Sequence, residues 1–281
     1  YADNHGGYYS GQQRIGLRSR FDNLLGLSDR FDLILLGSEH NTWNGQIDWN
    51  TLLADNGLRG GFRLASVRYE LAEDYKRLDA HGTAHTVGAN LNYPVYRRFG
   101  MAMDLSAELE HRWLTDKIDQ FDAETKKDLD TFTLGFAGQW RDGSGQGAWN
   151  LSQGFGDLDI NSRDAKAADA LRARTEGRYR KTGLILQRIQ NVIGNSQLFM
   201  KYQQQWASKN LDSSEKLSLG GVNAVRAYPL GEVSGDEGYL ARIDWRFPMS
   251  ANCALGMGYD AGRVKINKYR YLGSSNYETR K

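Results

Sequence analysis

The 281-residue chain has one cysteine, three prolines, no long apolar run and no excess of either charge. Cys253 alone can neither close an internal disulfide nor build a cysteine-ligated zinc site. No stretch approaches the roughly 18 uninterrupted apolar residues that mark a membrane-spanning helix. The 36 Lys and Arg offset 34 Asp and Glu, a net charge of +2, so the basic excess of a nucleic-acid-binding protein is missing. What the chain does have is rings: seven Trp, fifteen Tyr and ten Phe, too many for a solvated coil. It also has 32 Gly and a mean hydropathy of −0.63. A soluble protein hides its rings among aliphatics, whereas a transmembrane β-barrel turns rings to lipid and charge to its lumen. Such a barrel is polar on average and still lives in a membrane. The start, Tyr1-Ala2-Asp3-Asn4, is turn-like rather than a signal peptide, which predicts a mature or truncated segment.

Periodicity sets the fold class. Over residues 101–113, Met101, Met103, Leu105, Ala107, Leu109, His111 and Trp113 alternate with Ala102, Asp104, Ser106, Glu108, Glu110 and Arg112. That is a strand period of two and excludes a helix. Residues 84–93, 197–206 and 239–247 alternate in the same way. Alternation also suits a soluble sandwich. Length discriminates: these strands reach the ~9–11 residues that cross a bilayer, beyond the ~5–6 of a soluble strand. Several end in rings, at Tyr93, Trp113, Trp140, Trp206 and Phe247, as an interfacial girdle would. The expectation is an all-β, transmembrane antiparallel β-barrel. Its lumen set is Arg14, Arg18, Arg20, Asp104, Glu108, Glu110, Arg112, Arg242, Asp244 and Arg246.

Short turns at 22–27, 55–60, 94–100, 142–146, 191–195 and 248–252 alternate with longer polar connections at 39–45, 73–82, 118–126, 160–174 and 208–237. One rim with short turns and one with long loops is the outer-membrane arrangement. About twelve crossings run from 12–21 to 254–266, with residues 1–4 as the end of one earlier strand and nothing after 266 to close the sheet. An open sheet edge in lipid is prohibitively costly, so strands are expected to be missing at both ends. Three strands read irregularly. Residues 178–188 lack clean alternation, 31–37 are apolar on both faces, and 62–71 change phase near Ala65–Ser66, which predicts a bulge. Residues 164–174 predict a short helix in a loop.

Catalytic and metal chemistry find little support. His81 and His85 are four apart, but they flank Gly82 at a loop-to-strand junction, where that spacing does not converge on a metal. His111 falls on the apolar set beside Trp113 and reads as an interfacial side chain. No Ser has a nucleophile-elbow context. Glu108 and Glu110 share a face with Arg112 and read as a solvated charge network. No enzyme activity, metal or cofactor is expected.

The longest connection is different. Residues 217–239 read LSLGGVNAVRAYPLGEVSGDEGY, with an apolar, Gly-rich start that a solvent loop would not need. One reading is an ordinary surface loop. The other is a loop folded into the lumen, with Arg226 paired to a buried carboxylate. Asp260 lies on the small, polar set with Gly256 and Gly258, leaving room for an approaching loop. LGGVNAVRAYP, then GDEGYLARIDWRF, then YDAGRV resemble the TpsB transporters of two-partner secretion, of the haemolysin, filamentous-haemagglutinin and contact-dependent-inhibition type. SRFDNLLGLSDRFDL is similar to that family's first periplasmic turn, and the likeness covers nearly the whole chain.

The resemblance implies a sixteen-stranded barrel preceded by two periplasmic POTRA domains, the same superfamily as the assembly factor BamA. Here residues 1–281 would be the C-terminal barrel, short of strands at both ends and without the POTRA domains. It implies a lumen loop carrying Gly220, Gly221, Val225, Arg226, Ala227 and Tyr228, with Ala227 where the family usually has Gly. Its strand partners would be Asp260 and Gly262, and Gly235, Asp236 and Gly238 form a further loop motif. The implied function is ATP-independent secretion of a large TpsA-type exoprotein by a monomer in the outer membrane of a Gram-negative bacterium, against lipid and lipopolysaccharide. The rival readings are a BamA-like assembly factor, a barrel enzyme such as a protease or lipase, and a passive porin.

Overall fold

The computed structural model describes residues 1–71, 77–250, 252–274 and 276–280. The strands are β1 (Ala2–Asp3), β2 (Arg14–Asp22), β3 (Arg30–Ser38), β4 (Trp43–Leu52), β5 (Arg59–Glu70), β6 (Ala80–Arg98), β7 (Met101–Ile118), β8 (Ala123–Asp142), β9 (Gly145–Ile160), β10 (Gly177–Asn191), β11 (Gln197–Ala207), β12 (Leu217–Ser218), β13 (Ser234–Gly235), β14 (Glu237–Ser250), β15 (Cys253–Lys265) and β16 (Tyr277–Arg280). Helix α1 (Arg163–Leu171) sits between β9 and β10, where a short helix was expected. It is not long and apolar enough to cross a membrane. Fourteen strands form one meander in the order β1 to β11, then β14, β15 and β16, while β12 and β13 make a separate ribbon. The twelve long ones, β2 to β11 with β14 and β15, are the expected crossings. The sheet is not closed, and β1 and β16 are its edges.

The chain divides into two compact units. The first comprises Tyr1–Tyr93, Ser106–Thr133 and Phe155–Tyr179. Its strands expose Ile15, Leu17 and Phe21 on β2, Phe62 and Leu64 on β5, and Leu109 and Trp113 on β7. Exposed apolar rows of that extent suit lipid and not water. The alternate residues carry charge. Arg63 donates to Asp48 at 2.8 Å, Glu108 at 2.8 Å and Glu110 at 3.1 Å, and Arg112 donates to Glu110 at 2.5 Å. Arg20 and Asp32, directly paired across β2 and β3, meet at 2.8 Å. On the apolar face His111 packs edge-on to Trp113 at 4.3 Å and reaches Asp130 at 2.7 Å.

The second unit comprises Pro94–Leu105, Leu134–Gly154 and Arg180–Lys281. Its apolar face shows Tyr202, Trp206, Tyr239, Ile243, Trp245, Met257 and Tyr259. Arg242, Asp244 and Asp260 take the other face, with Arg242 opposite Asp260 in the β14–β15 register. The ladder explains the poor alternation of 178–188. Leu184 and Leu186 pair with Gln204 and Tyr202 on one face, and Ile185 and Ile189 with Gln203 and Phe199 on the other. β10 therefore carries aliphatic side chains on both of its faces.

Three expectations are corrected. No bulge interrupts β5, whose ladders to β4 and β6 run in unbroken register through Ala65 and Ser66. The change of phase in the sequence marks a change of surroundings: Ser66 and Arg68 continue the outward row of Phe62 and Leu64 as the strand nears its long connection. Pro94 lies inside β6, and the chain reverses at Phe99 and Gly100, where Gly100 supplies the left-handed φ of +77°. Finally, β16 follows residue 266 and pairs with residues 262–265 of β15. Four residues, Tyr-Glu-Thr-Arg, carry too little pattern to announce a strand. The long connection at 73–82 and the turn at 248–252 fall partly outside the described residues.

Candidate functional site

The site is built on β14 and β15. Their inward positions set large side chains of β14 opposite glycines of β15, Leu240 against Gly262, Asp244 against Gly258 and Arg246 against Gly256, and the glycines make space. A Cβ on Gly258 would sit 2.3 Å from Asp244 Oδ1 and 2.6 Å from Arg226 Nη2. One on Gly262 would meet Leu240 Cδ2 at 2.6 Å and Leu219 Cδ2 at 2.7 Å. Bare backbone at these points lets the 208–236 connection lie against the wall.

That connection is folded tightly. Leu219 N–H donates to Val233 O at 2.8 Å and Gly221 N–H to Tyr228 O at 2.9 Å, so the two arms of the loop hold each other. Gly220 has Pro229 O where a Cβ would stand, at 1.9 Å, and Gly221 takes a φ of +108°. Ala227 has no positive φ, so the methyl in place of the family's usual glycine needs no left-handed backbone. Leu217, Leu219 and Val225 are buried against Leu240 and Val264 of the wall, with Ala224, Tyr228 and Val233 packed around them. This apolar plug explains the hydrophobic start of the loop.

The plug carries Arg226 to the carboxylates. Its Nε donates to Asp260 Oδ2 at 2.6 Å and its Nη2 to Asp260 Oδ1 at 2.9 Å, a bidentate fork. Nη2 also donates to Asp244 Oδ1 at 2.7 Å, and the Arg226 backbone N–H to Asp260 Oδ2 at 3.2 Å. Asp244 is shared, because Arg242 Nε donates to its other oxygen at 2.5 Å. The bonds from Arg226 to Asp260 and Asp244 raise the guanidinium above its already high range against the opposing effect of burial, so it stays charged. Asp260 is nearly buried and Arg226 is about a third exposed.

A second anchor lies at the loop's far end. Asp236 is fully buried; it accepts from Leu211 N–H at 3.0 Å and Lys268 N–H at 2.7 Å, and Lys216 Nζ lies 3.0 Å away. Gly235 and Gly238 press against β15, their missing Cβ positions 2.6 Å and 2.4 Å from Lys265 O and Arg263 O. Lys181 reaches buried Glu215, and Lys268 reaches Glu237 at 2.6 Å. Sequence reasoning placed Asp244 on the lumen face without a role in the clamp, and it missed Lys216, Glu215 and Lys268 altogether. The alternation of β14 was the signal for Asp244. The other three lie in irregular segments without a period.

The remaining candidates do not assemble into chemistry. His85 Nδ1 meets Ser66 Oγ at 3.1 Å, but no carboxylate joins that pair among the described residues. His81 approaches Asp79 and Asp119 rather than His85, with one potential ligand atom from each residue within 4.8 Å of the others. All three are at least partly exposed.

Residues 1–275 match the family described as haemolysin secretion/activation protein ShlB/FhaC/HecB. The chain belongs to this family. It is 28% identical over 274 residues to the heme/hemopexin transporter protein HuxB of Haemophilus influenzae, covering 95% of the chain and 48% of that protein. It is 23% identical over 257 residues to the outer membrane transporter CdiB of Escherichia coli, covering 86% of the chain and 42% of CdiB. Among solved structures, CdiB from Escherichia coli superposes with a TM-score of 0.75 at 19% identity, over 93% of this chain and 50% of that one. BamA from Haemophilus ducreyi, lacking POTRA domains 1–3, gives 0.62 at 13% identity, over 91% and 56%. These likenesses identify the fold as a transmembrane β-barrel, incomplete in this chain. The chain spans about half the length of the curated relatives it matches.

Proposed function

We propose that this chain is the barrel part of an outer-membrane translocator of a Gram-negative bacterium, which secretes a large partner exoprotein without ATP. In this reading periplasmic POTRA domains precede residues 1–281 in the parent protein, and the apolar rows face lipid and lipopolysaccharide. The barrel acts as a monomeric conduit and not as an enzyme. The observation that carries the reading is the plug: a loop of the ShlB/FhaC/HecB family chain packed on the inner wall and fixed by Arg226 between Asp260 and Asp244. A passive porin has no need of such a clamp. The transporters HuxB and CdiB are its sequence relatives, whereas the likeness to BamA is one of fold.

The test is secreted client in the medium, normalised to barrel in the outer membrane, using the full-length parent. Removing one partner of a buried ion pair costs ~3–5 kcal/mol, and the exposure of Arg226 puts its loss at the lower end. Arg226→Ala and Asp260→Ala should each impair secretion strongly while the barrel still inserts, and the double change should add little. Arg226→Lys should also impair it, because an ammonium does not reproduce the fork. Normal secretion from both single variants, or additive losses in the double, would overturn the pairing.

A further inference from the structure

The motif of Gly235, Asp236 and Gly238 takes no part in the Arg226 fork, yet Asp236 is fully buried. Besides the Leu211 and Lys268 amides and Lys216 Nζ on its carboxylate, its own N–H donates to Lys265 O at 2.9 Å and its carbonyl accepts from Gln205 Nε2 at 3.0 Å. Lys216 Nζ also donates to Ile266 O at 2.6 Å, and Lys268 Nζ to Ala207 O at 2.6 Å. Asn210 is buried as well, and its side-chain amide exchanges two bonds with the Tyr269 backbone, at 3.0 and 2.7 Å. The root of the 208–236 connection is thus knotted to β11, to β15 and to the chain that follows β15. The arm beyond the root is held differently. Residues 219–233 begin and end where the two-residue strands β12 and β13 stop, and the Leu219–Val233 and Gly221–Tyr228 bonds close the arm on itself. Besides the fork, the wall reaches this arm with bonds of 3.3 Å, from Lys201 Nζ to Asn223 O and from Arg242 Nη1 to Val222 O. The Arg226 side chain is 36% exposed, whereas Asp236 is enclosed. Water screens the one and not the other, so the fork yields before the knot. Turning the arm gives up the wall contacts of Leu219 and Val225 but leaves Leu217, on β12, in place.

We propose that the knot around Asp236 is a fixed hinge post, and that residues 219–233 turn about it as one arm when the Arg226 fork opens to admit a client. Asp236 is then a positioning residue: it sets where the arm starts, and so where Arg226 lands relative to Asp260 and Asp244. A hinge needs only a few element-terminal residues to absorb the change of direction. Ser218 and Ser234, paired at the end of the β12–β13 ribbon, stand at that point. Departure of the whole connection would instead break the bonds of Asp236, Glu215 and Asn210 together, and every buried partner they left would need a new one. The proposal rests on the translocator reading and adds which part of the loop moves.

The experiment compares two crosslinks in the full-length parent, in a Cys253→Ser background because Cys253 is exposed. Asn210→Cys with Tyr269→Cys ties the root to the post, and Asn223→Cys with Lys201→Cys ties the arm to the wall. Each pair is closed by a short thiol-specific linker. Secretion is client in the medium per barrel in the outer membrane, measured against the same variant unlinked. The root link should leave secretion within about twofold, and the arm link should cut it about tenfold or more. A root link that stops secretion means that the whole connection leaves, and an arm link that secretes normally means that the arm stays; either result overturns the hinge. Asp236→Asn leaves the fork residues untouched. On barrel recovered from the outer membrane it should lower the yield of the 223–201 link about threefold or more, because an amide replaces a charged acceptor in the buried knot. An unchanged yield would show that Asp236 does not position the arm. Normal secretion with the arm linked removes the hinge and leaves the translocator standing, whereas an unlinked parent that secretes nothing sinks the translocator reading itself.

Discussion

Arg226 is held by geometry that a single methyl group can break. Gly258 leaves no room for one, since its Cβ would fall within 2.6 Å of both Asp244 Oδ1 and Arg226 Nη2. Two residues earlier on β15, the Gly256 position is open, with Trp245 O at 4.0 Å as its nearest neighbour. Gly258→Ala should therefore push the fork apart at an overpacking cost of ~1–3 kcal/mol, and Gly256→Ala should be close to neutral. Crosslinking between cysteines placed at residues 223 and 201 reads the position of the loop, because Lys201 Nζ donates to Asn223 O at 3.3 Å in the docked state. A Gly258→Ala protein that crosslinks as efficiently as the Gly256→Ala protein would show that the fork tolerates the displacement.

At the scale of an element, the β2–β3 turn shows how a short connection is made rigid. Asp29 is buried and accepts from Leu25 N–H at 3.0 Å and Leu27 N–H at 3.3 Å, while Thr51 Oγ1 donates to Leu27 O at 2.7 Å. Burial alone would raise the Asp29 carboxyl, but the backbone donors from Leu25 and Leu27 outweigh it and hold it below the usual range. A lowered folded-state value means that the carboxylate stabilises the turn fully above its unfolded pKa of ~3.9 and loses that effect as pH falls through the folded value. Protection of the Leu25 and Leu27 amides from hydrogen exchange should hold from neutral pH down to about pH 5 and decline in stronger acid. Asp29→Ala should lower protection at all of these values and flatten the profile; an unchanged acid profile in that variant would place the sensitivity elsewhere.

For the whole molecule, the role proposed for the 217–239 loop is to obstruct the barrel. The 217–239 segment contributes Leu217, Leu219 and Val225 to an apolar cluster with Leu240 of β14 and Val264 of β15, and a loop held there should restrict ion flow. The intact parent should show modest, fluctuating conductance in planar bilayers. Deleting residues 222–234 should raise the conductance severalfold and steady it, because the segment that moves is gone. Conductance identical before and after the deletion would mean that the loop does not obstruct the pathway in the membrane.

Alternation in residues 101–113 and 239–247 defined the two faces of the strands; strand length and ring-capped ends set a barrel apart from a soluble sandwich, and the succession of short turns and long connections counted the crossings. The pairing of Arg226 with Asp260 was also legible, since a lone arginine in a confined loop needs a carboxylate and Asp260 stood among glycines. Other features had no local signature. Asp244 joins the clamp only because the β14–β15 register brings it beside Asp260 and Arg226. Asp236 finds Lys216 and the Leu211 and Lys268 amides through long-range folding of irregular chain. The phase change at Ala65–Ser66 looked like a bulge because sequence records side-chain polarity and not backbone pairing. Only the ladder decides register, and there the ladder runs straight while the medium outside the strand changes.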